Sequence, residues 1–359
     1  MAIDDVLPPM PQFAGSIAGK PEIPPWDKPD PTKEHLDWAE LRTLDLSLLD
    51  GDPNQQAELV ETTRLSIQKD GFLFYIFFHG GISEEEKEEF MWDLSKGTFR
   101  GYKPQVGWGE REGQRDQIEH FNWYQLHFDE LPESVPSNMP PFLDEIQGFA
   151  EHMANQVNRR LLVLLSRILG MPDKFLWEKV SARGSAGDSL RGTSYHSHMG
   201  YHNQPVSCLQ MLNAENEWRW VGYEPGRLLV NLDDALDVIS SDQFKVTRHK
   251  DLCLVPKPPR DQMNSNRIGL IIFNNARPDM RMDPMMDTPL LRQRGLNNNS
   301  DVFGALSRRI DEGLEAPTYQ EWKTVRSQGA QAKPEKTVDI DGVKYKEQMF
   351  NGTKLLMVV

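Results

Sequence analysis

Cysteine is nearly absent from this chain: Cys208 and Cys253 are the only two among 359 residues, and they form no Cys-x-x-Cys arrangement. That excludes a disulfide framework and a thiolate zinc site, and both read as buried thiols. Long apolar runs are missing too. No stretch approaches the roughly 20 apolar residues of a membrane span, and the N-terminus shows no basic start followed by an apolar core. The expected setting is a reducing cytoplasm with no membrane partner. Positive charge is in deficit, with 40 Lys and Arg against 54 Asp and Glu and a formal net charge of -14. Nucleic acid and anionic membranes would both reward a basic face, so neither is expected as a partner. Gly-x-Ser-x-Gly, Walker and Gly-x-Gly-x-x-Gly motifs do not occur, and no internal repeat is found.

What is present has a clear order. Residues 1–36 are Pro-rich and lack periodicity, which predicts an extended arm over the surface. Asp52-Pro53 starts a helix with Leu59, Val60 and Ile67 at helical spacing, and Asp70-Gly71 ends it. The run Phe72–Phe78 reads as a strand buried on both faces. Ser83 followed by Glu84, Glu85 and Glu86 has the form of an N-cap with acids in the first turn, so a second helix is expected towards Leu94. The longest helix is expected over 143–169, stopped by Gly170 and Pro172.

From about 176 to 275 the pattern changes to short apolar runs at Val206–Met211, Glu217–Val221, Arg227–Asn231, Phe244–His249, Leu252–Val255 and Arg267–Phe273. Turn residues separate them, as in a jelly roll. The tail beyond about 285 is polar, with a weak helix near Val302–Ile310 and a hairpin-like Val338–Val343. The fold class is therefore mainly β with flanking helices (α+β), built on a double-stranded β-helix or jelly-roll core. Residues 37–325 form one domain, helical to about 175 with its jelly-roll core over about 176–275, and 326–359 form a C-terminal tail.

Two residues carry the chemistry. His249 closes an alternating strand, where an imidazole can aim at a metal, though a lone His is more often structural. Arg267 opens the apolar strand Ile268–Phe273, either as a rim charge or as a fork aimed inward at a carboxylate. The blocks around them, Asp70-Gly71-Phe72 to Gly81-Ile82-Ser83, Gly101-Tyr102-Lys103-Pro104, Gly113 to His120, Gln204-Pro205-Val206-Ser207, Trp218-Arg219-Trp220 and Asn231 to Asp234, follow in a telling order. In that order the chain resembles the isopenicillin N synthase-like family of Fe(II)- and 2-oxoglutarate-dependent oxygenases, in particular its fungal branch, over about 50–325.

The resemblance implies that His249 is an iron ligand, and that Arg267, with Gly269 two residues on and Tyr195, holds 2-oxoglutarate. It also implies a small-molecule substrate and a tailoring step in fungal secondary metabolism. Such a site needs two imidazoles and one carboxylate on one face of the metal. The family's His-x-Asp pair is missing, because Thr193-Ser194-Tyr195 and then His196-Ser197-His198 stand in its place. The segment between Val180 and Leu190 is also short against the family, which carries a strand with a cofactor-binding Tyr there.

Three readings of His196, His198 and His202 stay open. Two of them join His249 in a three-histidine iron site; or the metal is lost and the pocket performs an isomerisation, dehydration or pericyclic closure; or the segment is a surface loop in a degenerate or misjoined chain. Weaker candidates have plainer roles: His120 as a packing or wall residue, His79 as a turn residue, Asp233-Asp234 as a structural turn, and Trp218 and Trp220 as barrel filling.

Overall fold

The computed structural model describes residues 30–69, 84–93, 101–104, 118–124, 140, 143–144, 148, 152–179, 189–195, 206–207, 209–224, 228–232, 234–244, 249–251, 259–262, 267–273, 275–295, 301–331, 337–340, 343–350 and 353–358. For 189–195, 249–251 and 267–273 it describes the backbone alone. The readings made for Asp70–His79, Ser83, Cys208, Leu252–Val255 and Cys253 concern residues outside these.

Helix α1 (Pro53–Lys69) begins where its sequence says it must. The Asp52 carboxylate accepts the backbone N–H of Asn54 at 2.8 Å and of Gln55 at 3.0 Å, while Gln55 Oε1 accepts the Asp52 N–H at 2.9 Å. This reciprocal cap satisfies donors the first turn leaves open and contributes about 1 kcal/mol. Leu59 then joins Leu49, Val163 and Leu164 in a buried cluster.

Helix α2 (Glu84–Glu89) stops short of Leu94, because the next residues are claimed by a strand. In β1 (Gly101–Lys103) the Tyr102 N–H donates to Phe90 O, and Tyr102 O accepts the Trp92 N–H. Helix α3 (Arg159–Ile168) continues a wide π-type turn over Met153–Asn158. Leu162, Leu165 and Ile168 face one cluster with Leu176, Leu232, Ile239, Phe244 and Leu290, whereas Val163 and Leu164 face Leu49 and Leu59. The helix is thus buried on two sides. Each such side chain contributes about 1.5–3 kcal/mol of apolar burial. Its end is the expected one: Gly170 takes a φ of +73°, and the N–H groups of Gly170 and Met171 reach Arg167 O and Ser166 O. Helix α4 (Phe175–Lys179) follows.

Two strands lie in the part the sequence reads as helical. β1 and β2 (Ile118–Tyr124) join β3 (Ser189–Tyr195) and β7 (Arg267–Phe273) in a four-stranded antiparallel sheet of order β1-β2-β3-β7. A second sheet has the order β5-β4-β6, from β4 (Leu209–Leu212), β5 (Trp218–Trp220) and β6 (His249–Asp251). Its buried Leu209 and Met211 pack with Val221.

Between these lie α5 (Asp234–Ile239) and a left-handed turn at Ser241-Asp242. Helices α6 (Pro289–Arg294), α7 (Asp301–Asp311) and α8 (Tyr319–Gln331) follow. The expected hairpin is β8 (Thr337–Ile340) and β9 (Val343–Phe350), and β10 (Thr353–Val358) extends it into a meander packed on α7. Among the described residues no helix is long and apolar enough to cross a membrane.

Candidate functional site

Register in the four-stranded sheet decides which residues meet. β2, β3 and β7 align over their full lengths, giving the rows Ile118–Tyr195–Arg267, His120–Thr193–Gly269 and Asn122–Arg191–Ile271. β1 extends two of these rows, with Lys103 opposite His120 and Gly101 opposite Asn122. Alternate residues share a face, so Lys103, Asn122, Thr193, Tyr195, Arg267 and Gly269 all belong to one face. Tyr195 is directly opposite Arg267, and directly opposite residues stand about 4.5–5.5 Å apart at Cβ.

At its β1 end the other face of the sheet packs on the segment around α2. Tyr102 lies under the Lys87 ammonium of α2 at 5.3 Å, and the Phe121 ring meets Phe90 edge-on at 5.7 Å. At its β1 end the Arg267 face is enclosed: Lys103 is 0% exposed and Asn122 1%. The Lys103 ammonium donates to Pro104 O at 3.0 Å. Sequence reasoning missed both residues, although the alternation of Phe121 and Trp123 with His120, Asn122 and Tyr124 carried the signal of a strand with one polar face.

β3 ends at Tyr195, at the register position opposite Arg267 of β7, and residues 180–188, where the shortening is expected, lie outside the described residues. Residues 196–208 alone join β3 of one sheet to β4 of the other. His196, His198 and His202 fall in that connection, outside the described residues, with His196 next in the chain after Tyr195.

His249 is in the second sheet, opposite Met211 of β4, which is itself opposite Arg219 of β5. β6 runs from His249 to Asp251, which pairs with Leu209, while residues 245–248 of the expected strand lie outside the described residues. Trp218 and Trp220 pair with Leu212 and Gln210, on the face opposite Met211, and are half-buried instead of filling the core. Asp234 begins α5, where a turn is expected, and Asp233 and His79 lie outside the described residues. Among the described residues no three His, Cys, Asp or Glu side chains gather as a metal site.

No family model matches the chain. Jasmonate-induced oxygenase 3 of Arabidopsis thaliana is 22% identical over 330 residues, covering 78% of this chain and 84% of the relative. 1-Aminocyclopropane-1-carboxylate oxidase 1 of Malus domestica is 24% identical over 274 residues, 68% and 83% of the two chains. Among solved structures, a full-length Neurospora crassa protein in complex with alpha-KG superimposes with a TM-score of 0.60 at 16% identity, over 82% of this chain and 99% of that one. JOX2 in complex with 2OG, Fe and JA gives 0.52 at 18% identity, over 77% and 83%. The fold is therefore the jelly roll of the 2-oxoglutarate oxygenases.

Proposed function

We propose that the chain is an Fe(II)- and 2-oxoglutarate-dependent oxygenase that oxidises a small metabolite, as a tailoring step in fungal secondary metabolism. The observation that carries this is the pairing of Tyr195 with Arg267 on adjacent strands of an oxygenase fold. A planar guanidinium beside a phenol is a natural cradle for a carboxylate, the guanidinium by charge and the hydroxyl by donation. Gly269 lies on the same face and adds no bulk beside them.

His249, with His196 and His198, would hold the iron. Imidazole suits Fe(II) by ligand type, so the donors fit, although three neutral rings compensate less of its charge than the usual set. Bound iron would supply O2 activation, with 2-oxoglutarate as the reductant. Arg267 and Tyr195 would fix the cosubstrate against the four-stranded sheet, which is closed to solvent at Asn122 and Lys103. Small molecules are bound by the compared structures: 5-formyluracil and thymine by the Neurospora crassa protein, and JA by JOX2.

A second reading has one observation behind it. Residues 189–204 contain no Asp or Glu, which also suits a pocket that works without metal as an isomerase, dehydratase or cyclase. One titration separates the two. Metal-free protein is given Fe(II) anaerobically and then 2-oxoglutarate, and the visible charge-transfer band of the chelate is sought. The oxygenase reading expects one iron per chain and the band. Absence of iron uptake, with turnover indifferent to chelator, overturns it in favour of the metal-free pocket.

A further inference from the structure

We infer that the N-terminal arm is a strap on the metal half of the proposed site: its docking on Arg260–Gln262 holds the pairing of β4 with β6, the strand that begins at His249. The side-chain amide of Gln262, a residue 3% exposed, is the joint. Its Nε2 donates to Asp30 O at 2.8 Å and its Oε1 accepts the Ser207 N–H at 2.9 Å, so one planar group ties the arm to the backbone that enters β4. A donor facing a carbonyl and an acceptor facing an N–H leave this amide one orientation. Ser207 is itself buried, and beyond it Leu209 pairs with Asp251 and Met211 with His249.

The arm reaches the same sheet a second time. Asp37 O accepts the Trp220 N–H at 2.8 Å, and the Ala39 N–H donates to Trp220 O at 2.7 Å, which adds the arm to the edge of β5. Ala39 and Leu41 then pack against the cluster of Leu209, Met211 and Val221. Ahead of that edge the fastenings are exposed: the Thr32 hydroxyl and the Lys33 N–H donate to the Asp261 carboxylate at 2.7 Å each, and Glu34 Oε1 accepts the Arg260 N–H at 2.6 Å. Exposed bonds of this kind open at low cost. Lifting the arm takes the Asp30 acceptor from a buried amide, and an amide that turns to replace it lets go of Ser207. The coupling is a property of the strands, and its meaning for iron rests on the oxygenase reading.

Amide hydrogen exchange reads the coupling without any ligand. Asp261→Ala frees Thr32 and Lys33 and leaves the Gln262 side chain in place. It should speed exchange of the β4 and β6 amides by about 5–100-fold, the worth of two hydrogen bonds, and leave those of α3 unchanged. Gln262→Ala cuts the joint, so adding Asp261→Ala to it should change β4 and β6 little further. Unchanged exchange at β4 and β6 in Asp261→Ala overturns the inference, and so does equal acceleration in α3, which marks a general loss of stability. Should Asp261→Ala fail to fold, Thr32→Val removes one of the two bonds and is read in the same way. In the wild type, Fe(II) and 2-oxoglutarate added anaerobically should slow trypsin cleavage after Lys33 by about 5–150-fold, the size of a typical coupling between sites. An unchanged rate with the charge-transfer band present overturns the link between strap and site and leaves the oxygenase reading standing. Absence of the band overturns the oxygenase reading, and the exchange pattern still decides the strap.

Discussion

Gly101 shows how much one residue can be asked to do at the edge of the polar sheet face. Its φ is +100°, and a Cβ there would stand 2.2 Å from the carbonyl oxygen of Phe90. Both partners are backbone, tied by the Tyr102 N–H bond to that same oxygen, so neither can step aside. Gly101→Ala should cost about 1–3 kcal/mol or more, read as a lower urea midpoint with an unchanged slope. Gly304 is the control: in the middle of α7 an added Cβ would meet nothing nearer than Arg308 Nη1 at 3.6 Å. Gly304→Ala should be neutral or stabilise by up to about 1 kcal/mol. Gly101 was visible in the sequence as part of the Gly-Tyr-Lys-Pro block, but its reason was not. The demand comes from a neighbouring segment that pairs with it, and pairing partners leave no local pattern. His249 and Asp251 make the same point: alternation from Phe244 suggested a strand ending at His249, while the pairing with β4 continues it by two residues.

At the scale of elements, what is local was legible and what is distant was not. The Asp52 cap of α1 and the Gly170 stop of α3 follow from residues within one turn. The lock on the N-terminal arm does not, because its partners are 229 residues apart. Asp261 accepts from the Lys33 N–H and from the Thr32 hydroxyl, each at 2.7 Å, and Gln262 Nε2 donates to Asp30 O at 2.8 Å. Beyond this lock, Asp37 to Ala39 bonds to the edge strand at Trp220 and so covers a row of otherwise open backbone groups. The Lys33 N–H first, and then the Thr32 hydroxyl, hold the Asp261 carboxyl below its ordinary range. A depressed carboxyl stabilises docking above its unfolded pKa of about 3.9, and that contribution is lost as pH falls through the lower folded value. The Lys33 amide shift should therefore titrate with a midpoint below about 3.9 in the wild type, and show no such step in Asp261→Ala. At neutral pH, trypsin should cut after Lys33 faster in the variant. Equal rates would mean that the Trp220 contacts hold the arm alone.

On the scale of the whole molecule, the two halves of the proposed site belong to different sheets: Tyr195 and Arg267 to the four-stranded one, His249 to the three-stranded one. In the chain, residues 196–208 stand between β3 of the first sheet and β4 of the second. Such a division predicts separable losses. Arg267→Met should leave Fe(II) affinity of the protein alone unchanged. It should weaken 2-oxoglutarate by about 10–100-fold, the worth of charge-assisted hydrogen bonds of about 1.5–3 kcal/mol. His249→Ala should remove iron and the charge-transfer band together, yet leave a weak, iron-independent affinity for 2-oxoglutarate at Arg267. Linkage fixes the readout: the factor by which 2-oxoglutarate tightens Fe(II) equals the factor by which Fe(II) tightens 2-oxoglutarate, and only coupled sites give a factor above one. Measured by anaerobic titration in both orders, a common factor well above one places metal and cosubstrate in contact. A factor of one means that the two sheets hold separate sites, and the oxygenase reading would then fail even though each ligand binds.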